Sequence, residues 1–200
     1  MVLKIKMKTG KINKLKARMF NKKASDPKNK PDKILETLAL HPGQNIADIG
    51  AGGGYFSLRF ADAVGREGKV YAVDTDPEFL EFIRNGAREK GPDNIETILA
   101  AGDKLNLPER ILDLIFMRNV CHHLPNREEY FRKLKVLLKP GGRVAVIEYK
   151  PGGIFSFHSI FRHYVKQEVI VEEMKKAGYL MNEKFDFLPE QSFTIFSLKK

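Results

Sequence analysis

A single cysteine, Cys121, is present in 200 residues. One thiol excludes an internal disulfide and a multi-cysteine metal site. Scarce cysteine also makes an intracellular, cytoplasmic setting the default expectation. No apolar run approaches the roughly 18 residues of a membrane-spanning helix. Lysines crowd the N-terminus, but no continuous apolar core follows them, so a secretory signal is not expected. Acidic residues are scarce at that same end. Residues 1–33 hold 12 Lys+Arg and 2 Asp+Glu, whereas residues 34–200 hold 23 of each, so the net charge of +10 belongs entirely to the first segment. What remains is ordinary for a globular chain. Hydrophobic residues make up 42%, and residues 31–200 suffice for one domain with a proper core, behind a basic tail over residues 1–30.

The most informative stretch is Asp48-Ile49-Gly50-Ala51-Gly52-Gly53-Gly54. It follows a strand-like run, Gln44-Asn45-Ile46-Ala47, and precedes a helix-like run, Tyr55 to Ala61. Strand, glycine turn and helix make the first half of a nucleotide-binding βαβ unit, where glycines let the backbone bend sharply and approach a ligand. A dinucleotide fingerprint needs Gly or Ala three residues after its second glycine. Tyr55 and Ser57 occupy those positions in the two possible frames. The pattern D-x-G-x-G-x-G instead resembles motif I of the class I S-adenosylmethionine (SAM) methyltransferases.

Further matches follow in chain order. Lys69-Val70-Tyr71-Ala72-Val73-Asp74 is an apolar run ending in an acid, placed to accept hydrogen bonds from ribose hydroxyls. Asp76 precedes Pro77 and suits the N-cap of the next helix, which leaves Asp74 free for a ligand; Asp32 is likewise expected to cap a helix through about Leu40, and Asn126 with Glu129 resembles a capping box. Ile95–Leu99 leads to Asp103, Asp113–Leu124 resembles the fourth strand and the active-site turn, and Leu138-Lys139-Pro140-Gly141-Gly142 turns into a fifth strand. The resemblance runs from about Pro31 to Lys200. It implies a Rossmann-like, doubly wound α/β sheet of seven strands, mostly parallel, with one antiparallel strand supplied by a C-terminal hairpin. It also implies SAM as cofactor. Asp48, Gly50, Ala51, Gly52, Gly54 and Tyr55 would line it from the first turn. Asp74 and Thr75 would follow strand two, Asp103 and Lys104 strand three, and Asn119 strand four.

Methyl transfer is an in-line displacement in which positioning does most of the work. A general base is needed only where the nucleophile must lose a proton. His122 and His123 are the catalytic candidates, because histidine titrates near neutral pH; alternatively one packs and the other caps the following helix. The stretch Gly152 to Tyr164 carries Ile154, Phe157, Ile160, Phe161 and Tyr164 at helical spacing. Its place in such a fold suggests a lid over an apolar or planar small molecule, or else core. The resemblance narrows the acceptor further. No Asn-Pro-Pro-Tyr or Asp-Pro-Pro-Tyr motif is present, and Cys121 is not preceded by proline, which argues against adenine, glutamine and C5-cytosine chemistry. The group that remains includes quinone-biosynthesis C-methyltransferases. An RNA methyltransferase, or a SAM-binding regulator without catalysis, are the alternative readings.

The basic segment reads as a helix with Ile12, Leu15 and Met19 on one face. Basic amphipathic segments lie on anionic membranes or on nucleic acid; a solvated tail is the bland alternative. Residues 1–24 precede a polar linker, Ser25–Pro31, so they are expected to be dispensable for cofactor binding.

Overall fold

The computed structural model describes residues 2–91, 93–102, 105–151 and 164–199. Seven strands form one sheet in the order β3-β2-β1-β4-β5-β7-β6, and the chain divides into two compact units, residues 1–106 and 107–200.

In the first unit β1 (Asn45–Ile49) pairs in parallel with β2 (Lys69–Asp74), and β2 with β3 (Ile95–Leu99). Four consecutive residues of β1, Ile46 to Ile49, are buried. Such an unbroken buried run is how a strand covered on both faces reads, in contrast to the alternation of a half-exposed sheet. Helices α1 (Val2–Ser25), α2 (Pro31–Leu38), α3 (Tyr55–Val64) and α4 (Pro77–Lys90) complete this unit. Ile34, Leu38, Phe56, Phe60, Val64, Leu80 and Ile83 supply its buried apolar side chains from α2, α3 and α4.

In the second unit β4 (Leu112–Arg118) runs parallel to β5 (Leu138–Tyr149), whereas β7 (Gln191–Leu198) is antiparallel to both β5 and β6 (Tyr179–Phe185). A single strand therefore runs against the rest of its sheet neighbours, as the short final hairpin requires. Between them lie α5 (Arg127–Leu134) and α6 (Gln167–Lys176). The Arg127 guanidinium grips the Glu173 carboxylate through Nε and Nη2, both at 2.7 Å, and ties α5 to α6. A two-pronged pair of this kind is the strong form of a charged hydrogen bond.

Helix starts follow local chemistry, with one correction. Asp76 caps α4, its Oδ1 accepting the Glu78 N–H at 2.9 Å. Asn126 caps α5, its Oδ1 accepting the Glu129 N–H at 3.4 Å. Asp32, however, does not cap α2. Pro31 is the first helical residue, Lys30 holds the cap position at φ +46°, and Asp32 lies in the first turn, bonded to Arg59 Nη2 at 2.8 Å. Proline suits a first helical position because its missing N–H would have had no intrahelical partner.

The basic segment also departs from expectation. It is helical through Ser25, and it is seated on the first unit rather than standing apart from it. Asn13 donates to Asp76 Oδ2 at 3.2 Å and Asn21 donates to the Gly53 carbonyl at 2.8 Å. The seated face carries Ala17 and Ala24, both buried, whereas Leu15 and Met19 are 68% and 56% exposed. Among the described residues no helix is long and apolar enough to cross a membrane.

Candidate cofactor and active site

The glycine loop joins β1 to α3, and its backbone explains its composition. Gly50, Gly52 and Gly54 have φ of +73°, +55° and +81°, a region that side-chain-bearing residues rarely adopt. A Cβ on Gly54 would also meet Ile83 Cγ1 of α4 at 2.6 Å. The loop folds against the ends of its neighbouring strand: the N–H groups of Gly50 and Ala51 donate to the Val73 carbonyl at 2.8 and 3.0 Å, and Gly54 N–H to the Ala51 carbonyl at 2.8 Å.

Asp74 ends β2 beside this loop, as the sequence places it, but it is not free. Its Oδ2 accepts the Gly52 N–H at 2.8 Å and its Oδ1 the Asp76 N–H at 3.0 Å. Each carboxylate oxygen has two acceptor positions, so one on each stays available to a ligand hydroxyl. Asp48 is buried and accepts the Ser57 hydroxyl at 2.6 Å, which fixes α3 against β1. Tyr55 presents its backbone N–H to Asn21 Oδ1 at 3.1 Å, and its hydroxyl accepts from Arg59 Nη1 at 3.0 Å. Thr75 is exposed. Asp103 and Lys104 lie outside the described residues, as do residues 152–163 of the expected lid, Gly152 to Tyr164.

These partners decide which ligand the loop suits. The N–H groups of Gly50, Ala51, Gly52, Gly54 and Tyr55 are all taken by oxygens of the chain itself. A pyrophosphate relies on free N–H donors at the start of this helix, and these five are already engaged. It offers carboxylate oxygens at Asp74 instead, which suit ribose hydroxyls. The donor set fits SAM, which carries no phosphate.

In the second unit the turn after β4 meets the end of β5. Glu148 is fully buried, at 0% exposure, within the apolar run Val144–Tyr149. Three donors converge on it. His122 Nδ1 lies 2.9 Å from Oε1, the Tyr149 N–H donates to Oε1 at 2.8 Å, and the His122 N–H donates to Oε2 at 3.2 Å. A carboxylate surrounded by backbone donors acts as acceptor, so in the neutral ring Nδ1 carries the hydrogen and Nε2 the lone pair. The His123 ring lies 4.1 Å from that of His122, at 47°, and its residue is exposed. Neither histidine caps α5, since Asn126 does. Asn119 adopts φ +57° and accepts from Gln191 Nε2 at 2.6 Å; Arg118 Nη2 donates to Gln191 Oε1 at 3.3 Å. Cys121 is buried, and burial, then the Glu148 charge, push its thiol well above the ordinary range.

Three participants escaped the sequence reading. Glu148 carried a visible signal, an acid embedded in an apolar strand. Gln191 and Asn21 carried none, since their partners stand 72 and 32 positions away in the chain.

Comparison with known proteins agrees with this fold. The family model described as a methyltransferase domain matches residues 40–190. The ubiquinone/menaquinone biosynthesis C-methyltransferase UbiE of Ectopseudomonas mendocina is 31% identical over 120 residues, covering 59% of this chain and 47% of that protein. Its counterpart from Shewanella frigidimarina is 28% identical over 116 residues, covering 58% and 46%. The chain thus spans about half the length of these curated relatives. Among solved structures, a SAM-dependent methyltransferase from Aquifex aeolicus superposes with a TM-score of 0.79 at 24% identity, over 89% of this chain and 96% of its own. The [4+2]-cyclase SpnF shares the fold with a TM-score of 0.67 at 20% identity, over 78% and 60%. With its family match over residues 40–190, its sheet order and its glycine loop between β1 and α3, the chain belongs to the class I SAM-dependent methyltransferases.

Proposed function

We propose that the protein methylates a small acceptor with an apolar or planar body, at an atom that must lose a proton, and that His122 takes that proton. The observation that carries this reading is the buried pair of His122 Nδ1 and Glu148 Oε1 at 2.9 Å. Glu148 holds the ring in the tautomer that leaves Nε2 basic, and a positioned base of this kind is worth about 10²–10⁴ in rate. SAM, when bound, supplies a methyl group already activated on a sulfonium sulfur. Asp74 would hold its ribose and the glycine loop its amino-acid end. The names of the UbiE relatives favour transfer to carbon on a quinone-type ring. His122→Gln should then lose at least a hundredfold in transfer of labelled methyl to a small-molecule extract while binding SAM like the wild type. Unchanged transfer would remove His122 from the reaction; SAM binding without transfer to any fraction by the wild type would favour a non-catalytic regulator.

The outer face of α1 supports a second reading, concerning a partner. The helix holds nine Lys and Arg and no acid, and Leu15 and Met19 are exposed between them. Cations flanking an apolar stripe suit an anionic lipid surface, with about 1 kcal/mol per engaged cation; RNA would use the charge but not the stripe. Vesicles of phosphatidylcholine with and without phosphatidylserine, tested beside a structured RNA at about 50 mM salt, separate the two.

A further inference from the structure

The contacts of α1 with the glycine loop concentrate on one side chain. Asn21 donates from Nδ2 to the Gly53 carbonyl at 2.8 Å and accepts the Tyr55 N–H on Oδ1 at 3.1 Å. Gly54, which precedes α3, has no side chain with which to cap it. The cap is supplied from another helix, 34 positions earlier in the chain. A helix N-terminus left without such a partner exposes orphan N–H groups.

Gly53 belongs to the same contact. A Cβ there would overlap the Ala17 carbonyl oxygen and Asn21 Oδ1. Unlike its neighbours, Gly53 does not have a positive φ, so its backbone alone does not require glycine. Close approach of α1 does. Phe20 continues the seat, its Cδ2 standing 3.3 Å from where a Cβ on Gly52 would be, with its ring set edge-on against Phe79 at 5.6 Å between centroids. Asn13 then reaches Asp76, whose own N–H is held by Asp74.

We infer that Asn21 is a positioning residue for the cofactor loop, and that Gly53 is glycine to admit α1 rather than to admit the ligand. The inference rests on the reading of residues 50–54 as the SAM loop. Asn21 acts without touching the ligand: it fixes the carbonyl of Gly53 and the first N–H of α3, and so sets the curvature of the loop between Gly52 and Tyr55. It also engages an N–H at the start of α3 that would otherwise favour an anion there.

The test is a double-mutant cycle on the full chain, read by SAM calorimetry and by hydrogen exchange of residues 52–58. Asn21→Ala should weaken SAM about tenfold, the scale of losing one or two neutral hydrogen bonds, and should speed exchange at Tyr55. Asn21→Asp, of the same shape, places an acceptor against the Gly53 carbonyl and should behave like Asn21→Ala. Gly53→Ala should weaken SAM similarly, and the double variant should be no worse than the poorer single one, because both changes undo one contact. Thermal unfolding of each variant guards against global loss of structure, and slower exchange on adding SAM to the wild type reports an intact loop. If Asn21→Ala binds SAM as tightly as the wild type while Gly53→Ala does not, Gly53 serves the ligand and the inference is overturned; independent, additive losses overturn it as well. Failure of the wild type itself to bind SAM would instead count against the reading of the loop.

Discussion

Glu148→Gln is the sharpest probe of the proposed chemistry, because it changes one atom's hydrogen-bonding role and almost no volume. The carboxylate accepts from His122 Nδ1, from the His122 N–H and from the Tyr149 N–H. A glutamine offers one oxygen and one NH₂ group. Whichever way the amide turns, its NH₂ faces at least one group that was a donor. If the oxygen keeps Nδ1 and Tyr149, the NH₂ opposes the His122 N–H. If it turns over, His122 Nδ1 must give up its hydrogen and accept, and Nε2 becomes the protonated nitrogen. The first outcome leaves a buried donor unsatisfied, at about 1–3 kcal/mol of stability. The second leaves no base, and the rate should fall by a large part of the 10²–10⁴ that a positioned base contributes. We expect transfer of labelled methyl to fall at least tenfold and the unfolding midpoint to drop, with SAM affinity within about twofold of the wild type. Loss of transfer with SAM affinity kept separates this from damage to the cofactor loop. A folded Glu148→Gln variant that keeps both the wild-type rate and the wild-type unfolding midpoint would refute the pairing, since each orientation of the amide must cost one or the other.

Two further outcomes follow from the same structure. Asp74→Ala should weaken SAM by about 1–3 kcal/mol, roughly five- to 150-fold in calorimetry, and should also lower the unfolding midpoint, because Gly52 and Asp76 lose the acceptor of their N–H groups. Cys121, buried and with its thiol held in the protonated form at neutral and mildly alkaline pH, should resist iodoacetamide at pH 8 in the native protein and react once denaturant is added; rapid native alkylation, read by mass spectrometry, would contradict its burial.

The frame was legible where local rules operate without competition. Buried strands wrote themselves as apolar runs, as in Val70–Val73, and the glycines at 50, 52 and 54 marked a backbone bend. Asp76 and Asn126 announced helix starts through side chains that cap their own helices. The first helix was not legible in the same way. Apolar spacing pointed to Ile12, Leu15 and Met19, yet Leu15 and Met19 are exposed and the seated face carries Ala17, Asn21 and Ala24. Periodicity reports where apolar area wants burial. A helix lying directly on the backbone of a glycine loop needs small side chains and amides instead, and that pattern has no period to read. The two N–H groups that Asp74 accepts were not legible for a related reason: backbone N–H groups that seek an acceptor have no letter in the sequence. Glu148 could have been found, since an acid amid Val144, Val146 and Ile147 must have partners once buried.

Calorimetric titration of the full-length wild-type chain with SAM, and separately with NAD, tests the central claim most directly. The spent N–H groups of the loop and the two acceptor positions left on Asp74 predict micromolar SAM binding, about −8 kcal/mol, and no measurable NAD binding. NAD binding at comparable strength, or a chain indifferent to SAM, would contradict the account.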